Sequence, residues 1–149
     1  MLWTHLISFL SILQISSSQD TNGENRAIIR PLQSNVTVTS GQKARLTCVF
    51  DRVNHDLSIS STHQLIWIRQ SHASYDADLI LAHNQDSLIS DDRLSIQRTD
   101  IDYSLVITNV NIADEGLYVC EVNTEPPQKA TISLYVQGKN SLANASYYE

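Results

Sequence analysis

Basic clusters are missing from this chain. Ten Lys and Arg residues lie scattered among sixteen Asp and Glu, for a formal net charge of −6 over 149 residues. An acidic surface without a Lys/Arg patch excludes nucleic acid and anionic lipid as partners. Metal-ligand spacing is missing as well, since the histidines at 5, 55, 63, 72 and 83 form no H-x-x-x-H pair. No G-x-S-x-G and no P-loop occurs, and Asp91-Asp92 and Asp100-x-Asp102 lack the glycine and glutamate of a calcium loop. These absences predict no metal, no cofactor and no enzymatic activity, with the histidines and acidic pairs read as solvated surface groups. No apolar run reaches the roughly 20 residues that a membrane-spanning helix takes, and the end QGKNSLANASYYE has no apolar tail of the kind a glycolipid anchor signal requires. Direct membrane insertion is therefore not expected. No repeat and no helix of useful length is visible.

What is present begins with a leader. MLWTHLISFLSILQISSSQD carries an apolar run from Leu6 to Ile15, broken by Ser8, Ser11 and Gln14, and then the small residues Ser16 to Ser18. This predicts a signal peptide over residues 1–18 and a secreted or extracellular product. A flexible segment is expected over 19–26 and a disordered polar tail over 138–149. On the secretory route the two cysteines, Cys48 and Cys120, are expected to pair. Closing the long loop between them is worth about 4 kcal/mol in the chain-entropy model. The sequons Asn35-Val36-Thr37 and Asn144-Ala145-Ser146 are read as glycan acceptors on the same route.

From Asn35 onward, short period-two runs alternate with polar or Gly-containing breaks, the pattern of an all-β sandwich. KARLTCVF sets Ala44, Leu46, Cys48 and Phe50 on one face and Lys43, Arg45 and Thr47 on the other, which is read as solvated. Leu94 with Ile96, Leu105 with Ile107, Tyr118 with Cys120 and Val122, and Ile132 with Leu134 and Val136 form further inner sets. Within this frame Cys48, Trp67 and the run Asp114-Ala-Glu-Gly116-Leu-Tyr118-Val-Cys120 have the arrangement of an immunoglobulin domain. There an indole packs on the inter-sheet disulfide, and a tyrosine two residues before the second cysteine bonds back to the preceding corner. Gly116 allows the tight turn, and Arg93 matches the salt-bridge partner of Asp114 in variable-type domains. The expectation is a variable-type immunoglobulin sandwich of two antiparallel sheets over residues 27–137. NHDLSISSTH forms a long polar loop, and DLILAHN supplies an extra edge strand.

Parity then exposes an anomaly in LIWIRQ. With Trp67 and Cys120 inward, Ile66, Ile68 and Gln70 point outward on one strand and Leu117, Val119, Glu121 and Asn123 on its neighbour. Ile80 and Ala82 are expected to join them, with Lys129 and Thr131 beside the rim. An apolar centre inside a polar rim is the anatomy of a protein interface.

CEVNTEP, ILAHNQDSLISDDRLSI and NVTVTSGQKARLTC resemble the first domain of the invertebrate neuronal adhesion proteins lachesin, the Dpr proteins and the Dpr-interacting proteins, and of the similar vertebrate IgLONs. The resemblance implies homophilic or heterophilic binding to another immunoglobulin-superfamily cell-surface protein, or to itself as a dimer. It implies that the sheet holding LIWIRQ and CEVNTEP does the binding, in neuronal wiring or synapse specificity. Members carry two or three domains and a membrane or glycolipid attachment, neither of which is read in this sequence; the chain is expected as a secreted single-domain member, a short isoform, or an incomplete gene model whose longer form is membrane-anchored. The alternative is a secreted modulator or decoy of a membrane receptor. Secretion from a eukaryotic cell followed by amino-terminal sequencing should give a mature chain that begins at Gln19; an uncleaved chain retained inside the cell would refute the leader assignment.

Overall fold

The computed structural model describes residues 28–53, 56–71 and 76–138. The expected signal peptide, the 19–26 segment, Asn144 and the tail from 139 onward lie outside the described residues. The strands are β1 Ile29–Pro31, β2 Asn35–Thr39, β3 Ala44–Phe50, β4 Arg52–Val53, β5 Asp56–Leu57, β6 Leu65–Arg69, β7 Leu79–His83, β8 Asp86–Ser87, β9 Leu94–Arg98, β10 Asp102–Ile107, β11 Gly116–Val122 and β12 Gln128–Gln137. A 3-10 turn, Ile112–Asp114, precedes β11.

One sheet runs β1-β3-β10-β9 and the other β2-β12-β11-β6-β7-β8, with β4 and β5 a separate short hairpin. Pairing is antiparallel apart from β2, which adds to the edge of β12 in parallel. The alternation seen in the sequence drives this arrangement. Ala44, Leu46 and Cys48 from β3 and Tyr118, Cys120 and Val122 from β11 enter a common core with Leu105, Ile107, Ile132 and Leu134. The core therefore lies between the sheets, and each strand keeps its other face outward.

Cys48 and Cys120 are bridged, joining β3 to β11 with Cα atoms 6.7 Å apart. Trp67 stands beside Cys120 as its register partner on β6, wholly buried. Its ring stacks on Tyr103 of β10 at 5.7 Å between centroids and 21° between planes. The indole N–H is buried without a hydrogen-bond partner, a cost of about 1–3 kcal/mol that the packing of the ring must offset.

Two outward assignments from the sequence are corrected. In the pairing of β6 with β7, Trp67 faces Ala82 while Ile68 faces Ile80, so Leu81 is an extra residue in β7. That bulge sends both Leu81 and Ala82 inward to the core and leaves Ile80 outward. Ala82 is therefore a core residue, because period-two parity does not survive an inserted residue. On the four-stranded sheet Thr47 is not solvated: it is buried and shares a 2.9 Å hydrogen bond with Ser104. Arg45 reaches across to Gln97 at 2.7 Å, spanning the outer side of β10, where Val106 is also buried.

The bulge generates a direct test. Ala82→Asp places a charge in the core and should abolish cooperative folding, whereas Ile80→Asp, two residues away, should keep the melting temperature within about 4 °C of wild type, the equivalent of roughly 1 kcal/mol. Circular dichroism melts of the two variants make the comparison, and equal damage from both would refute the bulged register.

Candidate partner-binding face

The outer face of the six-stranded sheet is assembled in cross-strand rows. Lys129, Glu121, Ile66 and His83 line up through register pairs. The next row is Thr131, Val119, Ile68 and Ile80, and beyond it Asn35, Ser133 and Leu117 pair in sequence. Gln70 closes this last row, with its backbone N–H donating to the Leu117 carbonyl at 2.9 Å.

Ile66, Ile68, Gln70, Leu117, Val119, Glu121, Lys129 and Thr131 thus share one face as the sequence predicted, and Ile80 joins them. Their accessibility differs. Ile80 and Leu117 are 47% and 42% exposed, Ile66 and Ile68 are half-buried, and Val119 is 5% exposed although it is no part of the core cluster. Val119 is thus nearly covered within the single chain, and the most accessible apolar side chains of the rows are Ile80 and Leu117. Glu121 and Lys129 form an ion pair at 2.9 Å, which cancels the nearest charges on the rim. Asn123 lies past the end of β11, its side-chain oxygen accepting from the Gln64 N–H at 2.8 Å. That bond ties the loop before β6 to the hairpin and makes Asn123 structural as well as peripheral.

Sequence reasoning missed two residues of this face. Tyr135, 50% exposed, pairs with Thr37, and its parity with Thr131 was legible. His83 reaches the face only because the bulge reverses the parity of β7, and no sequence signal marks that. Leu117 and Tyr135 flank a hollow of about 270 Å3 whose lining includes Gly116 and Ser133.

The described end of the long loop, Ser60 to His63, is tied to the other sheet. Arg98 on the other sheet holds it, donating to the Ser60 and His63 carbonyls at 3.0 and 3.1 Å and to Asn84 Oδ1 at 2.9 Å. Asn84, at a positive φ of 51°, also accepts the Leu65 N–H at 3.0 Å, and the Tyr103 hydroxyl donates to its carbonyl at 2.7 Å. Asparagine tolerates this backbone region better than most residues.

At the opposite end the face is braced by the corner before β11. The Asn111 side chain caps the 3-10 turn by accepting from the Ala113 N–H at 2.8 Å, and the Asn111 N–H donates to Asp114 at 2.8 Å. Arg93 grips Asp114 with two hydrogen bonds at 2.7 and 3.0 Å and Asp91 with two more at 2.8 and 3.1 Å. The Tyr118 hydroxyl donates to the Asp114 carbonyl at 2.7 Å, and Gly116 holds a φ of 147° that an L side chain would resist. Arg69 donates to the Ala113 and Glu115 carbonyls and lies over the Tyr118 ring. Burial pushes the Asp114 carboxyl up, but the Arg93 hydrogen bonds, the Asn111 N–H and the charges of Arg93 and Arg69 outweigh it and hold the group below the ordinary carboxylate range. Burial drives the Tyr118 hydroxyl up to about 12, so it remains a donor throughout the physiological range.

Among the described residues no group of His, Cys, Asp and Glu is placed to hold a metal, and no helix is long and apolar enough to cross a membrane.

The family model for the immunoglobulin V-set domain matches residues 32–137. The limbic system-associated membrane protein of Rattus norvegicus is 31% identical over 114 residues, covering 75% of this chain and 29% of its own length. The chain thus spans less than a third of that relative. The Ig1 domain of mouse SynCAM 2 has a TM-score of 0.58 at 28% identity, covering 72% of this chain and 95% of that one. A chain of the complex of Dpr11 IG1 bound to DIP-gamma IG+IG2 has a TM-score of 0.57 at 31% identity, covering 70% of this chain and 99% of that one. Dpr11 falls in the group to which the words CEVNTEP and ILAHNQDSLISDDRLSI pointed.

The Asp114 corner carries a pH prediction. A carboxyl held low in the folded state stabilises the fold above its unfolded value near 3.8, and that contribution is lost as pH falls through the folded value. Asp114→Asn should lower stability by about 2 kcal/mol at pH 7, with the gap to wild type narrowing as the pH drops below that value. Thermal melts across the acid range read this; a gap that is constant with pH would refute the charge-based account.

Proposed function

The chain belongs to the immunoglobulin V-set family, and on that premise we propose that it recognises another immunoglobulin domain through the outer face of the six-stranded sheet. The partner is a second copy of this chain or a different cell-surface protein, and the setting is extracellular adhesion in neuronal wiring or synapse specificity. Several observations support the reading. Apolar side chains on adjacent strands are clustered by register, and Ile80 remains about half exposed in the single chain. Burying such a side chain fully is worth roughly 1.5–3 kcal/mol relative to leaving it exposed. The polar rim of Gln70, Thr131 and the Glu121–Lys129 pair supplies orientation more than affinity, since exposed ion pairs contribute about 0–1 kcal/mol. The similar Dpr11 IG1 has been solved bound to DIP-gamma, and the rat relative is by its name a membrane protein.

The row Val119, Ile68 and Ile80 is the observation that carries the proposal. Neither Ile68 nor Ile80 belongs to the core cluster, and a charge at the exposed Ile80 would be fully desolvated only when a partner sits on the face.

A screen of the mature domain against cell-surface immunoglobulin proteins, itself included, identifies the partner. Ile68→Asp and Ile80→Asp should each weaken binding at least a hundredfold, about 3 kcal/mol, while both variants stay folded. Leu46→Asp in the core should fail to fold. Folded variants that bind as well as wild type would refute this face.

A further inference from the structure

We infer that Asn35 carries an N-linked glycan whose first sugars lie over the hollow between Leu117 and Tyr135, closing that flank of the outer face and leaving the Ile68 and Ile80 side to a partner. The attachment point is set by the fold. Val36 and Val38 of β2 pack against the core, so Asn35 and Thr37 point outward on the same face as Ser133 and Tyr135, their register partners. Both sequon side chains are exposed, and β2 is an edge strand, so a branched substituent meets no neighbouring strand on its open side. Asn35, Ser133 and Leu117 occupy one row of adjacent strands, which puts Leu117 about 10 Å from Asn35 at two strand spacings. The hollow is within reach of the core saccharide.

The occupant is argued from chemistry. A pyranose presents an apolar face of C–H groups that suits an exposed aromatic ring, and Tyr135 offers one at 50% exposure beside the 42% exposed Leu117. Ser133 lies between them in the floor of the hollow, where a hydroxyl can meet a sugar hydroxyl. The intact Cys48–Cys120 bridge fits an oxidising route, the route on which N-glycans are added. In the transfer, the Asn35 amide nitrogen attacks C1 of a lipid-pyrophosphate-linked oligosaccharide and gives up one proton. The C1–O bond breaks, and the lipid pyrophosphate leaves with its electron pair.

The seat of the glycan is independent of the proposed function; only the narrowing of the partner's footprint rests on it. The test uses the full chain secreted from a glycosylating eukaryotic cell, as wild type, Asn35→Gln, Thr37→Ala, Tyr135→Ala and the double variant Asn35→Gln/Tyr135→Ala. Glycopeptide mass spectrometry should find Asn35 occupied in wild type and in Tyr135→Ala. Tyr135→Ala should lower the melting temperature by about 4 °C more in the glycosylated background than in Asn35→Gln. Trimming to a single N-acetylglucosamine should retain most of that difference, and Thr37→Ala should reproduce Asn35→Gln. An unoccupied Asn35 in secreted, bridged protein, or additive effects of the two substitutions, would overturn the inference. Coupling at Tyr135 with no effect of Ile80→Asp on binding would leave the glycan in place and remove the docking face.

Discussion

The bridge between Cys48 and Cys120 decides which way everything else points. It joins β3 of one sheet to β11 of the other and so fixes both cysteines inward, and the register of β11 with β6 then sets Trp67 inward beside Cys120. Once Trp67 is committed, Ile66 and Ile68 have no route to the core. The outward apolar row is a consequence of that commitment and not an independent feature. A one-residue slip would exchange the two faces entirely, burying Glu121 and exposing Trp67.

Much of this was legible because the chain alternates cleanly where it is regular. The inner sets of β3, β10, β11 and β12 follow from parity, the bridge from an even cysteine count on a secretory route, and the Arg93–Asp114 pair and the Tyr118 corner from the immunoglobulin pattern; the structure contains the bridge, the ion pair and the tyrosine hydrogen bond. Ala82 and His83 were not legible, because the extra residue at Leu81 arises from how β7 accommodates β6 and leaves no trace in composition. Val119 was assigned to the right face but not to the right exposure, since cover by neighbouring side chains depends on which residues stand opposite. Thr47 was misread for a similar reason: it is buried against Ser104 across the strand, a partner that the parity of β3 alone does not show. Tyr135 could have been found by extending the parity of β12 outward.

The sandwich is fastened at both ends by arginines that serve backbone carbonyls and carboxylates. Arg98 draws the loop before β6 toward the opposite sheet through Ser60, His63 and Asn84. At the other end Arg93 and Arg69 hold the corner before β11. Because Asp114 is shared between the 3-10 turn, Arg93 and Tyr118, the start of β11 is pinned from several directions. Hydrogen bonds at both ends of the face thus hold the strands whose middle is apolar, and pre-organisation of this kind lowers the entropic cost of association.

The bulge in β7 separates two kinds of constraint along a few residues of chain. Ala82 answers to the packing of Trp67 and can change only within narrow limits of size, while Ile80 faces outward, about half exposed, and the core sets no such limit on it. In a lineage of duplicated genes, substitutions would accumulate at position 80 and be purged at position 82. On the proposed use of this face, new binding specificities would diverge along β7 while the fold that displays them is inherited unchanged.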